Sequence, residues 1–102
     1  MAFYKEKKIR TEKELRDILE SMDPDEGIRI LGALKGFLEG GFIFINRSTT
    51  NYVINFCDRV HDKNSGLYLP GGKEEFSYCS TSEAVWNMLR NKIVKPLNAW
   101  IY

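Results

Sequence analysis

The stretch that decides the fold class reads Phe42-Ile43-Phe44-Ile45-Asn46-Arg47-Ser48-Thr49-Thr50-Asn51-Tyr52-Val53-Ile54-Asn55-Phe56-Cys57. Its first four residues are apolar on both faces, which is typical of a central strand. Polar turn residues follow at 46–51, and the next strand then places Tyr52, Ile54 and Phe56 on one face. The stretch therefore predicts two neighbouring strands joined by a turn.

Two short strands and a helix are predicted after this stretch. Turn residues at 62–66 precede a strand at 67–69, and a Pro-Gly-Gly turn at 70–72 leads to a strand at 75–79. Ser80 and Glu83 form a capping box, in which the hydroxyl and the carboxylate each satisfy a free backbone amide. We expect the helix that follows to end or kink at Lys95-Pro96, because the residue before a proline disfavours helical geometry. Its inward residues are Val85, Met88, Leu89 and Ile93.

The N-terminal third has helical spacing. Thr11 and Glu14 form another capping box, and apolar residues follow at helical intervals up to Met22. Asp23 as a cap and Pro24 at the first helical position predict a second helix. The apolar stripe of that helix is Ile30, Leu31, Leu34, Phe37 and Leu38. The two helices are expected to form a hairpin.

Three glycines recur every fourth residue on the second predicted helix, at Gly32, Gly36 and Gly40. An interior glycine costs about 1 kcal/mol relative to alanine, so this spacing predicts a face where another element packs closely. A strand or the first helix is the expected neighbour. Self-association through the same face, or through a sheet edge, is the alternative, and it would make the protein a homodimer.

These elements predict one α+β domain over residues 1–102. Its expected architecture has two layers, with an N-terminal helical hairpin, a three- to four-stranded antiparallel meander and a C-terminal helix. The alternative is that residues 1–9 and 97–102 form extra strands that extend the sheet.

Composition restricts the class of protein. The chain has 102 residues, of which 43% are hydrophobic and 28% charged, as in ordinary globular domains. Apolar runs are too short to span a bilayer, and the N-terminus lacks the pattern of a secretory signal. With only Cys57 and Cys79, a disulfide framework is not expected. We therefore expect a cytoplasmic protein with free thiols, no membrane association and no cofactor.

The segment 69–75, Leu-Pro-Gly-Gly-Lys-Glu-Glu, resembles the opening of a Nudix box, the signature of enzymes that hydrolyse nucleoside diphosphate derivatives. In that family a helix with several glutamates follows and holds divalent metals. Here the helix at 82–91 carries one carboxylate, Glu83, so the ligands for magnesium are missing. The resemblance ends after seven residues, and no membership of that family is inferred.

His61 is the only histidine, and its spacing from Cys57 raises a metal or nucleophile hypothesis with Cys79 as a further member. Structural zinc sites usually have four ligands in paired spacings, and the chain has no such pair. A Cys–His nucleophile would need these strand residues to meet in space. The preferred interpretation is two buried thiols beside a surface histidine, with no catalytic or metal site.

The aromatic content favours a binding surface. Tyrosine and tryptophan are enriched at recognition surfaces, and this chain has more of them than so small a core needs. The candidate partner-binding residues are Trp86, Trp100, Tyr102, Tyr68 and Tyr78. The leading hypothesis is a small non-enzymatic protein-binding module, such as an inhibitor, an immunity or anti-defence protein, or an adaptor.

The alternative hypothesis is a nucleic-acid-binding regulator that uses the basic termini. Lys5, Lys7, Lys8 and Arg10 could contact phosphates, beside aromatic residues able to stack on a base. A near-zero net charge of +1 and interleaved glutamates weaken this hypothesis.

Overall fold

A computed structural model describes residues 7–102. Within them the chain forms six strands, two α-helices and one short 3-10 turn. In chain order the elements are β1 Lys7–Ile9, α1 Glu12–Ser21, β2 Gly27–Leu31, the 3-10 turn Leu38–Gly40, β3 Phe42–Arg47, β4 Tyr52–His61, β5 Tyr68–Cys79, α2 Ser82–Leu89 and β6 Ala99–Ile101.

All six strands belong to one antiparallel sheet with the order β1-β6-β2-β3-β4-β5. The last strand, β6, lies between β1 and β2, so the two ends of the chain are paired with each other. The β4–β5 hairpin extends furthest and makes β5 a long edge strand of twelve residues. Six paired strands therefore replace the shorter meander that the sequence predicts.

The core lies between one face of the sheet and the two helices. Alternate strand residues on that face are fully buried and belong to the same cluster as the buried leucines and valine of α1 and α2. This cluster includes Ile28, Ile30, Ile43, Ile45 and Ile54 from the sheet, and Leu15, Leu19, Val85 and Leu89 from the helices. Because side chains alternate along a strand, the intervening residues point to the opposite face of the sheet. We call this opposite side the open face.

The predicted helical hairpin is wrong, because residues 27–31 form β2 and not a second helix. Both a helical stripe and a strand can be drawn through Ile28, Ile30 and Leu31, since a short apolar run has no unique period. Pairing with β3 and β6 satisfies the backbone of this segment and buries Ile28 and Ile30 completely. Tertiary pairing thus overrides the local helical spacing.

The glycine repeat packs closely, but within a loop and not on a helix. A Cβ added at Gly32 would lie 2.8 Å from the carbonyl oxygen of Gly40, so the two backbones touch here. Gly40 itself has a φ of 80°, which favours glycine. The loop closes through a backbone hydrogen bond of 2.9 Å from the Gly32 amide to the Gly41 carbonyl. Neither α-helix therefore contains the predicted glycine face.

Other predicted boundaries also need correction. The predicted turn at 70–72 lies inside β5 as a bulge, so the two predicted short strands are one continuous strand. Helix α2 ends at Leu89, well before Lys95, and β6 follows it, so the helix is not the C-terminal element. The alternative prediction of terminal strands is confirmed for Lys7–Ile9 and Ala99–Ile101, and residues 1–6 lie outside the described part.

The two helix starts differ in how well the sequence predicts them. Thr11 caps α1, its hydroxyl accepting a hydrogen bond of 3.1 Å from the Glu14 amide, as predicted. The cap of α2 is Thr81 and not Ser80, since the Thr81 hydroxyl accepts the Ala84 amide at 3.1 Å. Adjacent serine and threonine residues make the position of a cap ambiguous by one residue.

Candidate functional site

One row of side chains crosses the open face through all six strands. The strand registers place these residues directly opposite one another in the order Lys8, Trp100, Arg29, Phe44, Asn55 and Phe76. Five strand spacings of about 4.8 Å make the row about 24 Å long. We call it the open-face row. It alternates cationic and aromatic side chains over the first four strands.

Trp100 lies between two cations in this row. The Lys8 ammonium is 4.3 Å and the Arg29 guanidinium carbon 4.5 Å from the centroid of the indole ring. Lys8 also donates a hydrogen bond of 3.1 Å to the side-chain oxygen of Asn98. These contacts hold both positive groups at the surface beside a half-buried aromatic ring.

A cavity of about 380 Å³ opens on the same face next to the row. Its lining is aromatic and apolar except for one cation, and consists of Arg29, Phe42, Phe44, Tyr68, Leu69, Pro70 and Tyr102. A second cation borders it, because the guanidinium carbon of Arg59 is 4.9 Å from the Tyr68 ring and 5.5 Å from the Phe42 ring. A concave apolar site with a few charged groups is the usual form of a small-ligand or base-binding pocket.

The bulge in β5 shapes one wall of this cavity. Cys57 pairs with Glu74 whereas Asp58 pairs with Gly71, so residues 72–73 are extra in β5. Such a bulge bends a strand and increases its twist. The bend follows the three cavity residues of β5 at positions 68–70.

Hydrogen bonds to the Asp58 side chain stabilise the bulge. Its side chain is only 7% exposed and accepts hydrogen bonds from the Lys73 amide at 2.7 Å and the Leu38 amide at 2.8 Å. These two donors, Lys73 first, lower the pKa of the Asp58 carboxyl below its usual value. A Cβ added at Gly72 would lie 2.5 Å from a carboxylate oxygen of Asp58, and Gly72 has a φ of 66°, so a side chain there would be both obstructed and strained. One buried carboxylate thus connects the bulge to the loop before β3.

Charge is distributed unevenly between the two layers. Residues 12–26, which include α1, hold seven acidic and two basic residues and so carry −5, which leaves +6 on the rest of a chain with net charge +1. On the open face the strands contribute Lys8, Arg29 and Arg59 against one acidic residue, Glu74. The small net charge is therefore the sum of a net positive open face and an acidic segment at 12–26.

The structure brings together some of the predicted partner-binding residues. Trp100, Tyr68 and Tyr102 lie on the open face at or beside the cavity, and Tyr78 lies on the same face at the β5 edge. Trp86 is on α2, where Arg16 of α1 is 5.5 Å from its ring, and does not join them.

The cations predicted at the basic N-terminus do not share one surface. Lys8 is on the open face, whereas Lys7 shares the core-side parity of Ile9 and lines a groove beside α1. The Arg10 amide donates to the Glu14 carboxylate at the start of α1. Lys5 lies outside the described residues. Of the three predicted cations in the described residues, Lys8 is the one that belongs to the open-face row.

Arg29, Phe44 and Arg59 are site residues that are not among the candidates predicted from the sequence. A signal was present for two of them, because Arg29 and Phe44 each stand between two isoleucines. In a strand with buried flanking residues, the middle residue must point to the other face. Only the strand order shows that both belong to one row.

Cys57, His61 and Cys79 do not converge. Cys79 pairs with Tyr52, about 17 Å from Cys57 along β4, and His61 lies about 14 Å from Cys57 in the other direction, at about 3.4 Å per residue. Burial raises the pKa of both thiols, which lowers their reactivity. Over residues 7–102 no group of three or more His, Cys, Asp or Glu side chains is arranged to hold a metal ion.

Comparison with protein-family models, curated proteins and solved structures found no match. Neither helix in the described range is long and apolar enough to cross a membrane.

Proposed function

We propose that this protein binds single-stranded nucleic acid on the open face of its sheet, without enzymatic activity. The observation that carries the proposal is the open-face row, in which Trp100 lies between Lys8 and Arg29 and Phe44 follows. Single strands offer unpaired bases that stack on aromatic rings, and phosphates that cations attract.

The geometry suits a flexible strand better than a duplex. Side chains that read a double helix usually project from a helix or ribbon into a groove. Here the aromatic rings lie on a sheet, and the open cavity beside Phe44 and Tyr68 offers an apolar surface to an unpaired base. The acidic helix α1 lies on the other side of the sheet, where it does not repel the bound strand.

The test measures the fluorescence anisotropy of labelled oligo-dT and oligo-U on titration with Trp100→Leu and Phe44→Leu variants. Leucine keeps apolar bulk and removes the ring, so packing is retained while stacking is lost. One stacked base is worth about 1–3 kcal/mol, so each variant should weaken binding by about 5- to 150-fold. The matched control is Trp86→Leu, which removes an indole from the helical side and should leave the affinity unchanged.

The salt dependence of the affinity and the binding of duplex are two further measurements in this test. The affinity of the wild-type protein should fall with salt, with a slope of about −0.7 for each phosphate contact on a logarithmic plot. Duplex of the same length should bind more weakly. Binding that is equal for duplex and single strands, or that survives both ring substitutions, would contradict the proposal, as would no binding at low salt.

A protein-binding module is the second candidate function, and the exposed apolar side chains of the β4–β5 hairpin favour it. Phe76 is 56% and Tyr78 67% exposed on β5, and Leu67 is 61% exposed in the preceding loop. An inhibitor, an immunity protein or an adaptor would use such an edge to contact a partner. The supporting result is a defined protein that is retained after nuclease treatment and lost on Tyr78→Ser but not on Trp100→Leu.

A further inference from the structure

The edge strand β5 has two halves with opposite character. Its first half contains Pro70, the bulge and the charged residues at 73–75, all features that prevent pairing with another strand. Its second half, Phe76 to Cys79, is regular and carries the two aromatic residues of β5 that are more than half exposed. The features that prevent pairing with another strand are therefore absent from the second half, which is also the more hydrophobic one.

We propose that two copies of this chain pair antiparallel through this second half of β5, about a two-fold axis at Ser77. In this register Phe76 of each copy faces Tyr78 of the other, and Glu75 faces Cys79. Two aromatic cross-strand pairs form, and no like charges are opposed. The sheet then continues from one copy to the next with both open faces on the same side.

The neighbouring registers are less favourable. Side chains that face one another in an antiparallel pair lie on the same side of the sheet, so the axis must pass through a residue. An axis at Glu75 opposes that residue to itself and sets Glu74 against Phe76. An axis at Phe76 sets Glu74 against Tyr78, and an axis at Tyr78 leaves Phe76 opposite Ser80. The axis at Ser77 alone pairs both rings with rings.

The dimer is expected to be weak. Two partly exposed rings per copy bury a few hundred Å² in total, below the roughly 1,200 Å² of a standard stable interface. We expect a dissociation constant between about 10 μM and about 1 mM. The dimer does not depend on nucleic acid, so this inference stands or falls separately from the proposed function.

Sedimentation velocity over about 10 μM to about 1 mM tests the inference with two charged double variants. Phe76→Lys with Tyr78→Lys opposes like charges in the proposed register and should remain monomeric. Phe76→Glu with Tyr78→Lys opposes unlike charges and should still dimerise. Leu67→Ser is the matched control, since it removes an equally exposed apolar side chain of the hairpin outside the paired residues.

Three results would overturn the inference. The first is a wild-type protein that stays monomeric at the highest concentration. The second is a dimer that survives in the double-lysine variant. The third is loss of the dimer in the lysine–glutamate variant, since an axis at Phe76 or Tyr78 would oppose its like charges. Circular dichroism of each variant confirms that it is folded before sedimentation.

Discussion

Replacing Tyr52 by phenylalanine removes a single buried hydroxyl that joins the sheet to α1. Tyr52 is 2% exposed, and its hydroxyl donates a hydrogen bond to the carbonyl of Leu19. That carbonyl is among the last four of α1, which have no amide donor within their own helix. Phenylalanine preserves the ring, its packing and the contact with Arg47, whose guanidinium carbon is 4.4 Å from the ring centroid.

The expected loss follows from what phenylalanine leaves behind. The ring still fills its volume, so no cavity is created and the cost is that of an unsatisfied buried carbonyl. Such a group costs about 1–3 kcal/mol. The free energy of unfolding should therefore fall by about 1–3 kcal/mol.

Urea unfolding followed by circular dichroism measures this change. If the dependence of the unfolding free energy on urea, the slope m, is the same for both proteins, a lower urea midpoint reports lower stability. The matched control is Tyr78→Phe, which removes a hydroxyl from a ring that is 67% exposed and should change stability by less than about 0.5 kcal/mol. A Tyr52→Phe variant as stable as Tyr78→Phe would refute the reasoning, because Leu19 would then have another donor.

The cap of α2 at Thr81 and the buried carboxylate of Asp58 each give a further prediction. Thr81→Ala should destabilise the protein by about 1 kcal/mol in urea unfolding, whereas Ser80→Ala should be nearly neutral, and the reverse order would place the helix cap at Ser80. The amides of Lys73 and Leu38 lower the pKa of the Asp58 carboxyl. The stabilisation that this carboxylate contributes to the fold is therefore complete above the unfolded pKa of about 3.9, and it is lost as pH falls through the folded pKa. Asp58→Asn should therefore be less stable at neutral pH and show a flatter stability profile below about pH 4, and a profile parallel to the wild type would contradict this.

The sequence predicts the middle of the sheet because its signal there is local. The predicted strands at 42–45 and 52–57 lie within β3, Phe42–Arg47, and β4, Tyr52–His61. Apolar runs flanked by turn residues leave few alternatives for these segments. The start of α1 is predicted for a similar reason, since Thr11 and Glu14 are only three residues apart.

Local sequence patterns mispredict a segment where a helix and a strand compete for it. Residues 27–31 contain apolar residues compatible with either period, and β2 forms because β3 and β6 lie on both sides of it. No local pattern indicates that the last strand, Ala99–Ile101, inserts between β1 and β2. Similarly, a Pro-Gly-Gly sequence is typical of a turn, and the pairing of Asp58 with Gly71 is what makes it a bulge.

The candidate site divides in the same way. Composition alone marks Trp100, Tyr68 and Tyr102 as residues in excess of a small core, and their role in binding remains a prediction. Arg29 and Phe44 join Trp100 in one row only through the register of three strands. A residue opposite another in a sheet can be distant in sequence, so periodicity cannot identify the pair.

By itself, then, the sequence determined the α+β class, the two central strands and the first helix cap, because hydrophobic alternation and capping act over a few residues. Only the tertiary structure decided the six-strand order, the identity of β2 as a strand and the convergence of Lys8, Trp100, Arg29 and Phe44 on one face. The physical reason is that strand pairing satisfies backbone groups between segments far apart in the chain. Such long-range pairs are chosen by the free energy of the whole sheet and leave little trace in any single segment.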